Sequence, residues 1–218
     1  MRRALLLAAF ALLLPAAALA HHPKAKAPAK PKAAATAPVV PAPPADMALG
    51  DPKARVTIIE YGSVACPFCA QFNETVLPDL KTKYIDTGKV HYIYRPMLTG
   101  VQSIAASGEL MAECVGKDKY FSVVDAVMRG QHEFYAMGEN DMLARPVLLR
   151  IAASFGMDEK AFVACTTDKT AYSALITRYN GYLNSGIHST PYFYINGQPF
   201  AYKGTGLAEF DAAIAAAQ

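Results

Sequence analysis

Cys66-Pro67-Phe68-Cys69 stands at the junction of two hydrophobic periodicities, and that placement limits the folds open to the chain. Before it, Val56-Thr57-Ile58-Ile59 is a β-branched apolar run that predicts a buried strand. After it, Phe68, Phe72, Val76 and Leu80 recur at helical spacing. Cys66 therefore sits where a strand ends and a helix begins. Unpaired backbone N–H groups and the positive end of the helix dipole stabilise a thiolate at such a point. Cys69, on the same first turn, is near enough to close a small disulfide ring. Pro67 takes an early helical position, where its missing N–H costs little. The pattern reads as a redox-active dithiol.

Other uses of a C-x-x-C pair fit less well. A zinc site normally draws on a second such pair or on two histidines, whereas Cys114 and Cys165 are isolated and no His pair has ligand spacing. A bridge over two residues gives little chain-entropy stabilisation compared with a long loop. Neither a metal nor a cofactor is expected at the dithiol.

Met1-Arg2-Arg3, the apolar stretch Ala4 to Leu14 and the small-x-small triplet Ala18-Leu19-Ala20 predict a signal peptide over residues 1–20. Cleavage after Ala20 and export to the periplasm are expected, with an uncleaved membrane anchor as the alternative. Residues 21–46 are nearly all Ala, Pro and Lys after His21 and His22, too poor in large apolar groups to fold, and predict a disordered linker. Arg2, Arg3, Lys24, Lys26, Lys30 and Lys32 account for the formal net charge of +3, and the rest carries more acid than base. Nucleic acid is therefore not an expected partner. Four cysteines in an exported chain form an even set, as two disulfides require.

The helix opening at Cys66 is expected to reach Tyr84 or Ile85 with a kink at Pro78, followed by a strand over Lys89–Leu98. Strand, helix and strand make a parallel βαβ unit. From Thr99 to Gly186 the pattern is helical. It predicts helices Ser103–Val115, Tyr120–Arg129, Asp141–Phe155, Asp158–Ala164 and Thr170–Ser185, with Gly116, Gly130 and Gly156 at helix ends. Cys114 and Cys165 both fall in this block. A structural disulfide between them would close a loop of about 50 residues and contribute on the order of 4 kcal/mol; two separate buried thiols are the alternative. Tyr192–Ile195 then predicts a strand, Asn196-Gly197 a hairpin turn, Phe200–Tyr202 a return strand, and Leu207–Ala217 a closing helix that buries Leu207, Phe210 and Ile214.

C-P-F-C after a strand, a helical insertion, and Thr190-Pro191 before an apolar strand and Asn-Gly together resemble the DsbA-like branch of the thioredoxin superfamily over residues 46–218. The resemblance implies an α/β thioredoxin fold with an inserted all-helical domain. The thioredoxin-like part would cover residues 47–98 and 187–218, and the insertion 99–186. It also implies a cis Thr190–Pro191 bond beside the dithiol, Cys66 as an exposed nucleophile and Cys69 as its buried partner. Thr190, Pro191, Pro67 and Phe68 would then form a surface for extended substrate chains. Glu60 matches a buried acid on the central strand that assists proton transfer to and from Cys69; a solvated strand-end carboxylate is the alternative reading. Phe68 departs from the pattern, because the best-studied oxidases of the group carry His there.

The implied activity is thiol–disulfide exchange. An oxidase acting on reduced exported polypeptides, reoxidised by a membrane redox partner and working as a monomer, is the leading expectation. A disulfide isomerase or reductase kept reduced is the nearest rival, and Thr190 is shared with isomerase-type relatives. Those isomerases oligomerise through an N-terminal domain that residues 21–46 are not expected to form. A redox-inert peptide-binding chaperone leaves the dithiol unexplained, and a metal carrier would have to recruit His21 and His22. His91 and His132 are expected at the surface, on a strand and a loop, and His188 lies near the site along the chain.

Overall fold

The computed structural model describes residues 46–136 and 141–217. The expected signal peptide and nearly all of the expected linker, His21 and His22 included, lie outside the described residues. Among the described residues, five strands form one mixed sheet in the order β1-β3-β2-β4-β5. They are β1 (Met47–Leu49), β2 (Val56–Gly62), β3 (Val90–Pro96), β4 (Tyr192–Ile195) and β5 (Gln198–Phe200). β2 is central. It runs parallel to β3, with Glu60 opposite Tyr94, and antiparallel to β4, with Glu60 also opposite Phe193.

Alternation along β2 and β3 assigns the two faces. Ile58, Glu60, Tyr92 and Tyr94 point to one face and are buried. Helices α1 (Pro67–Thr75) and α9 (Leu207–Ala217) close on it through Phe72, Phe193 and Phe210, whose rings lie 4.9–5.5 Å apart. Each such buried side chain contributes about 1.5–3 kcal/mol. The opposite face receives α8 (Lys169–Asn184), whose Tyr182 ring meets Tyr61 edge-on at 5.0 Å.

Between β3 and β4 the described chain is helical. It runs through α3 (Gln102–Val115), α4 (Tyr120–Arg129), α5 (Gln131–Ala136), α6 (Asp141–Ser154), α7 (Glu159–Thr166) and α8. The chain therefore has a thioredoxin fold interrupted by a helical insertion. Cys114 near the end of α3 is bonded to Cys165 on α7.

Several expectations need correction. The helix after Cys66 does not run through to Ile85 with a kink at Pro78. It ends at Thr75, resumes as α2 (Leu77–Leu80) and finishes as a π-helical turn, Lys81–Ile85. Pro78 lacks the N–H that Glu74 would bond, and its ring crowds that carbonyl, so Val76 leaves helical geometry two residues earlier. β1 went unpredicted, being three residues with little pattern; it pairs antiparallel to β3. Asp46, expected to end the linker, is half-buried and ion-paired with Arg95 at 2.9 Å. α5 was also unpredicted, so the exposed His132 lies on a helix rather than in a loop.

The Asn196-Gly197 turn has positive φ at both residues, +47° and +76°, which a tight β4–β5 hairpin requires. Asn196 also ties the turn to the central strand: its side-chain oxygen accepts from Thr57 N–H at 2.8 Å, and its N–H donates to Thr57 O at 2.9 Å.

Candidate active site

β2 ends at Gly62, and the four residues to Cys66 form a turn tied to its neighbours by hydrogen bonds. Cys66 N–H donates to Ser63 O at 3.1 Å, Ser63 Oγ donates to Thr99 O at 2.8 Å, and Ala65 N–H donates to Ser63 Oγ at 3.2 Å. From the insertion, Gln131 donates its side-chain amide to Val64 O at 2.8 Å and Cys66 O at 3.2 Å, while Tyr135 Oη donates to Ala65 O. Three consecutive carbonyls are thus held by α5. Sequence reasoning missed Gln131, Tyr135, Ser63 and Thr99. No local signal marks them, because their contacts span 36 to 70 residues of chain.

Cys66 occupies the N-cap of α1 in extended conformation, with Pro67 as the first helical residue. Both cysteines are unbridged thiols. Cys66 is 6 % exposed and Cys69 0 %, so the expected exposed nucleophile is in fact only slightly uncovered. The cause is the Thr190-Pro191 segment, whose peptide bond is cis and whose Thr190 carbonyl accepts from Cys66 Sγ at 3.5 Å. Phe68 by contrast is 68 % exposed beside the dithiol.

The two sulfurs are electrostatically unlike. The Cys66 thiol is lowered from its usual 9.0 to about 6. The Cys69 thiol does most to lower it, followed by hydrogen bonds from Thr190 and the Cys69 and Phe68 N–H groups, with burial opposing. Cys69 is pushed well above the ordinary thiol range by burial, then by Cys66 and by the Glu60 carboxyl, and only the Ser63 N–H, 3.4 Å from its sulfur, pulls the other way. One sulfur ionises readily and the other keeps its proton.

Glu60 lies on β2, near enough to both cysteines for their charges to act on one another, and is 2 % exposed, which excludes the solvated strand-end reading. Tyr92 Oη donates to its Oε2. Burial raises the carboxyl to about 8 against the Tyr92 hydrogen bond, with Cys66 adding to the rise. Its Oε1 has no hydrogen-bond partner among the described residues. Gly62 makes this orientation possible, since a Cβ there would stand 2.6 Å from Glu60 Oε1 and 2.6 Å from the Tyr94 ring.

Phe68, Thr190 and Pro191 line one groove with Phe72 and Tyr202, of about 230 Å³. Pro67 does not join them. It faces a second groove of about 340 Å³ between α1 and the α4–α5 corner, with Gln71, Met128 and His132. His188 is exposed and is not among the groups that lower Cys66.

A thiol pair at a helix N-terminus, a cis-proline loop across it and a mixed sheet with a helical insertion define a thioredoxin-superfamily protein. The chain belongs to that family: the model described as Thioredoxin matches residues 43–216. Within it the chain is DsbA-like. It is similar to alpha-DsbA1 of Wolbachia pipientis at 29 % identity and TM-score 0.68, covering 79 % of this chain and 90 % of that one. A Rickettsia conorii protein provisionally named a protein-disulfide oxidoreductase is 30 % identical over 153 residues, 70 % of this chain and 53 % of its own. The chain thus spans about half the length of the curated relatives it matches. BdbD of Bacillus subtilis, at 20 % identity and TM-score 0.68 over 79 % of this chain and 92 % of that one, shares the fold.

Proposed function

We propose that the protein is a periplasmic thiol–disulfide oxidase that introduces disulfides into reduced exported polypeptides. The observation that carries this reading is the contrast between Cys66, ionising near 6, and Cys69, held protonated well above the thiol range. A sulfur that is stable as a thiolate is a good leaving group, and a disulfide containing it is correspondingly oxidising.

In the proposed cycle a substrate thiolate attacks Cys66 of the Cys66–Cys69 disulfide. A substrate–Cys66 bond forms, the Cys66–Cys69 bond breaks, and Cys69 leaves as a thiolate that takes a proton from Glu60. A second substrate thiolate then attacks the substrate sulfur. This closes the substrate disulfide and expels the Cys66 thiolate. Electrons pass between sulfurs only, so no cofactor or metal enters. A membrane redox partner reoxidises the dithiol, and the protein works as a monomer. Thr190 and Pro191 hold an extended substrate chain through backbone hydrogen bonds, with Phe68 offering an apolar contact at the groove and Pro67 setting the start of α1. The Cys114–Cys165 bridge, between α3 and α7, serves stability alone.

A peptide-oxidation assay tests the assignment. Cys66→Ser is expected to abolish turnover, and Cys69→Ser to accumulate mixed disulfides with substrate on Cys66. Full activity in Cys66→Ser would contradict it.

A further inference from the structure

Two grooves border the Cys66 turn, and the proposed cycle uses one of them. The groove with Phe68, Phe72 and Tyr202 reaches Cys66 through Thr190, whose carbonyl accepts from the Cys66 sulfur at 3.5 Å. The larger groove, of about 340 Å³, reaches Cys66 by other contacts. Pro67 in its lining follows Cys66 in the chain, and Gln131 in its lining donates to Cys66 O at 3.2 Å. Gln71 on α1 lines both grooves. Cys66 is therefore bonded to a wall of each, and the exposed edge of α1 is the ridge between them.

The lining of the larger groove suits an apolar side chain. Pro67, exposed, and Ala70, half-buried, form the α1 wall, and Met128, buried near the end of α4, lies opposite. An unbranched thioether adapts to side chains of different shape. The guanidinium at the edge is already answered within the protein, because Arg129 pairs with Asp125 at 3.0 Å and with Glu74 at 3.7 Å. The volume falls among those of ligand clefts, about 300–1,000 Å³.

We propose that this groove is a second substrate subsite, which takes an apolar side chain from the flank of the reacting cysteine that leads away from Thr190–Pro191. The inference rests on the reading that Cys66 carries substrate as a mixed disulfide. A substrate cysteine bonded to Cys66 sends its chain in two directions. One runs along Thr190–Pro191 into the Phe72–Tyr202 groove. The other crosses Pro67 and enters the larger groove within about three residues, roughly 10 Å of extended chain. Its side chain there rests against Gln131 and Tyr135, which hold the carbonyls of Val64, Ala65 and Cys66. Anchoring on both flanks fixes the substrate sulfur over the nucleophile, and orientation of that kind accelerates the exchange.

The test begins with Cys69→Ser in the full chain and a nine-residue Gly/Ser peptide with one central cysteine, activated as its thionitrobenzoate disulfide. The Cys66 thiolate attacks the peptide sulfur, the Cys66–peptide bond forms, and thionitrobenzoate leaves with the electron pair. One residue of the peptide is a benzophenone-bearing phenylalanine, moved in turn along both flanks. On illumination, one flank should crosslink to the α4–α5 segment around Met128 and the other around Tyr202. Crosslinks from both flanks to the Tyr202 groove alone, or scattered without regard to flank, would overturn the proposal. Failure to trap any peptide on Cys66 would overturn the oxidoreductase reading as well.

A kinetic measurement checks the chemistry of the subsite. With dithiol peptides and the oxidised protein, Leu in place of Ser at the position that reaches α4–α5 should lower KM about tenfold. Ala70→Gln adds a longer, neutral, polar side chain to the groove wall and should erase that preference. The preference for Leu on the opposite flank should persist, which general damage to the site would not allow. A preference on the α4–α5 flank that survives Ala70→Gln, or the loss of both together, would overturn the proposal. The crosslinking map needs no change in the groove, so it decides the matter should Ala70→Gln fail to fold.

Discussion

Thr99 and Thr190 meet hydroxyl to hydroxyl at 2.5 Å, and Thr190 also turns its carbonyl to the Cys66 sulfur at 3.5 Å. The loop that leads from β3 into α3 is thereby tied to the cis-proline loop over the dithiol. When Cys66 is a thiolate, Thr190 Oγ donates to it, which requires Thr99 to be the donor in the pair. A hydrogen bond received by Thr190 strengthens the one it gives.

Thr190→Val should therefore raise the Cys66 pKa from about 6 toward the ordinary thiol range, and Thr99→Val should raise it less. Alkylation rate of the reduced protein against pH checks both. An unchanged Cys66 in Thr190→Val would remove that hydrogen bond from the account.

The Cys66 thiolate should also stabilise the reduced fold in a defined window. Its folded pKa is depressed, so the contribution is complete above the unfolded value of 9.0 and is lost as pH falls through about 6. Urea unfolding of the reduced protein should gain stability relative to the oxidised form between these limits. A flat difference would contradict the lowered pKa.

Glu60 acts in the opposite sense. Its carboxyl is raised from 4.5 to about 8, so the folded state holds a proton the unfolded chain has released, and stability falls as pH rises between those values. Glu60→Gln keeps an acceptor for Tyr92 and should abolish the loss. The variant should be more stable than the wild type at pH about 8, on the order of 2–4 kcal/mol, with no advantage below the unfolded value. Denaturation across pH checks the sign.

Gln131→Ala strips the side-chain donor from the Val64 carbonyl inside the protein and leaves Cys66 O with Ala70 N–H at 3.0 Å. It should cost about 1–3 kcal/mol and slow oxidation of peptides by more than it lowers stability, since the turn that aims Cys66 loses its support. Tyr135→Phe should act in the same direction. Wild-type oxidation rates in Gln131→Ala would show that the turn holds itself.

The parts of this architecture that were legible in the sequence are those with local causes. β-Branched residues before Cys66, Phe72 and Leu80 behind it, and Asn196-Gly197 between β4 and β5 each announce their geometry within a few residues. The helix limits of α4 were read directly, and those of α3 and α8 to within a residue. What was not legible depends on distant chain. β1 exists because β3 offers it an edge, and α5 because Gln131 and Tyr135 find carbonyls far back in the chain. The strand before Cys66 carried a glutamate, but its burial beside Tyr92 and Tyr94 is fixed by the β2–β3 register and by the missing side chain of Gly62.

The reduction potential of Cys66–Cys69 against glutathione, with Cys114–Cys165 left intact, tests the central claim most directly. Stabilisation of the Cys66 thiolate without a histidine at position 68 predicts an oxidising couple, above about −200 mV and in the range of disulfide donors. A potential near about −250 mV or lower would contradict the oxidase account and assign the dithiol to a reductive role.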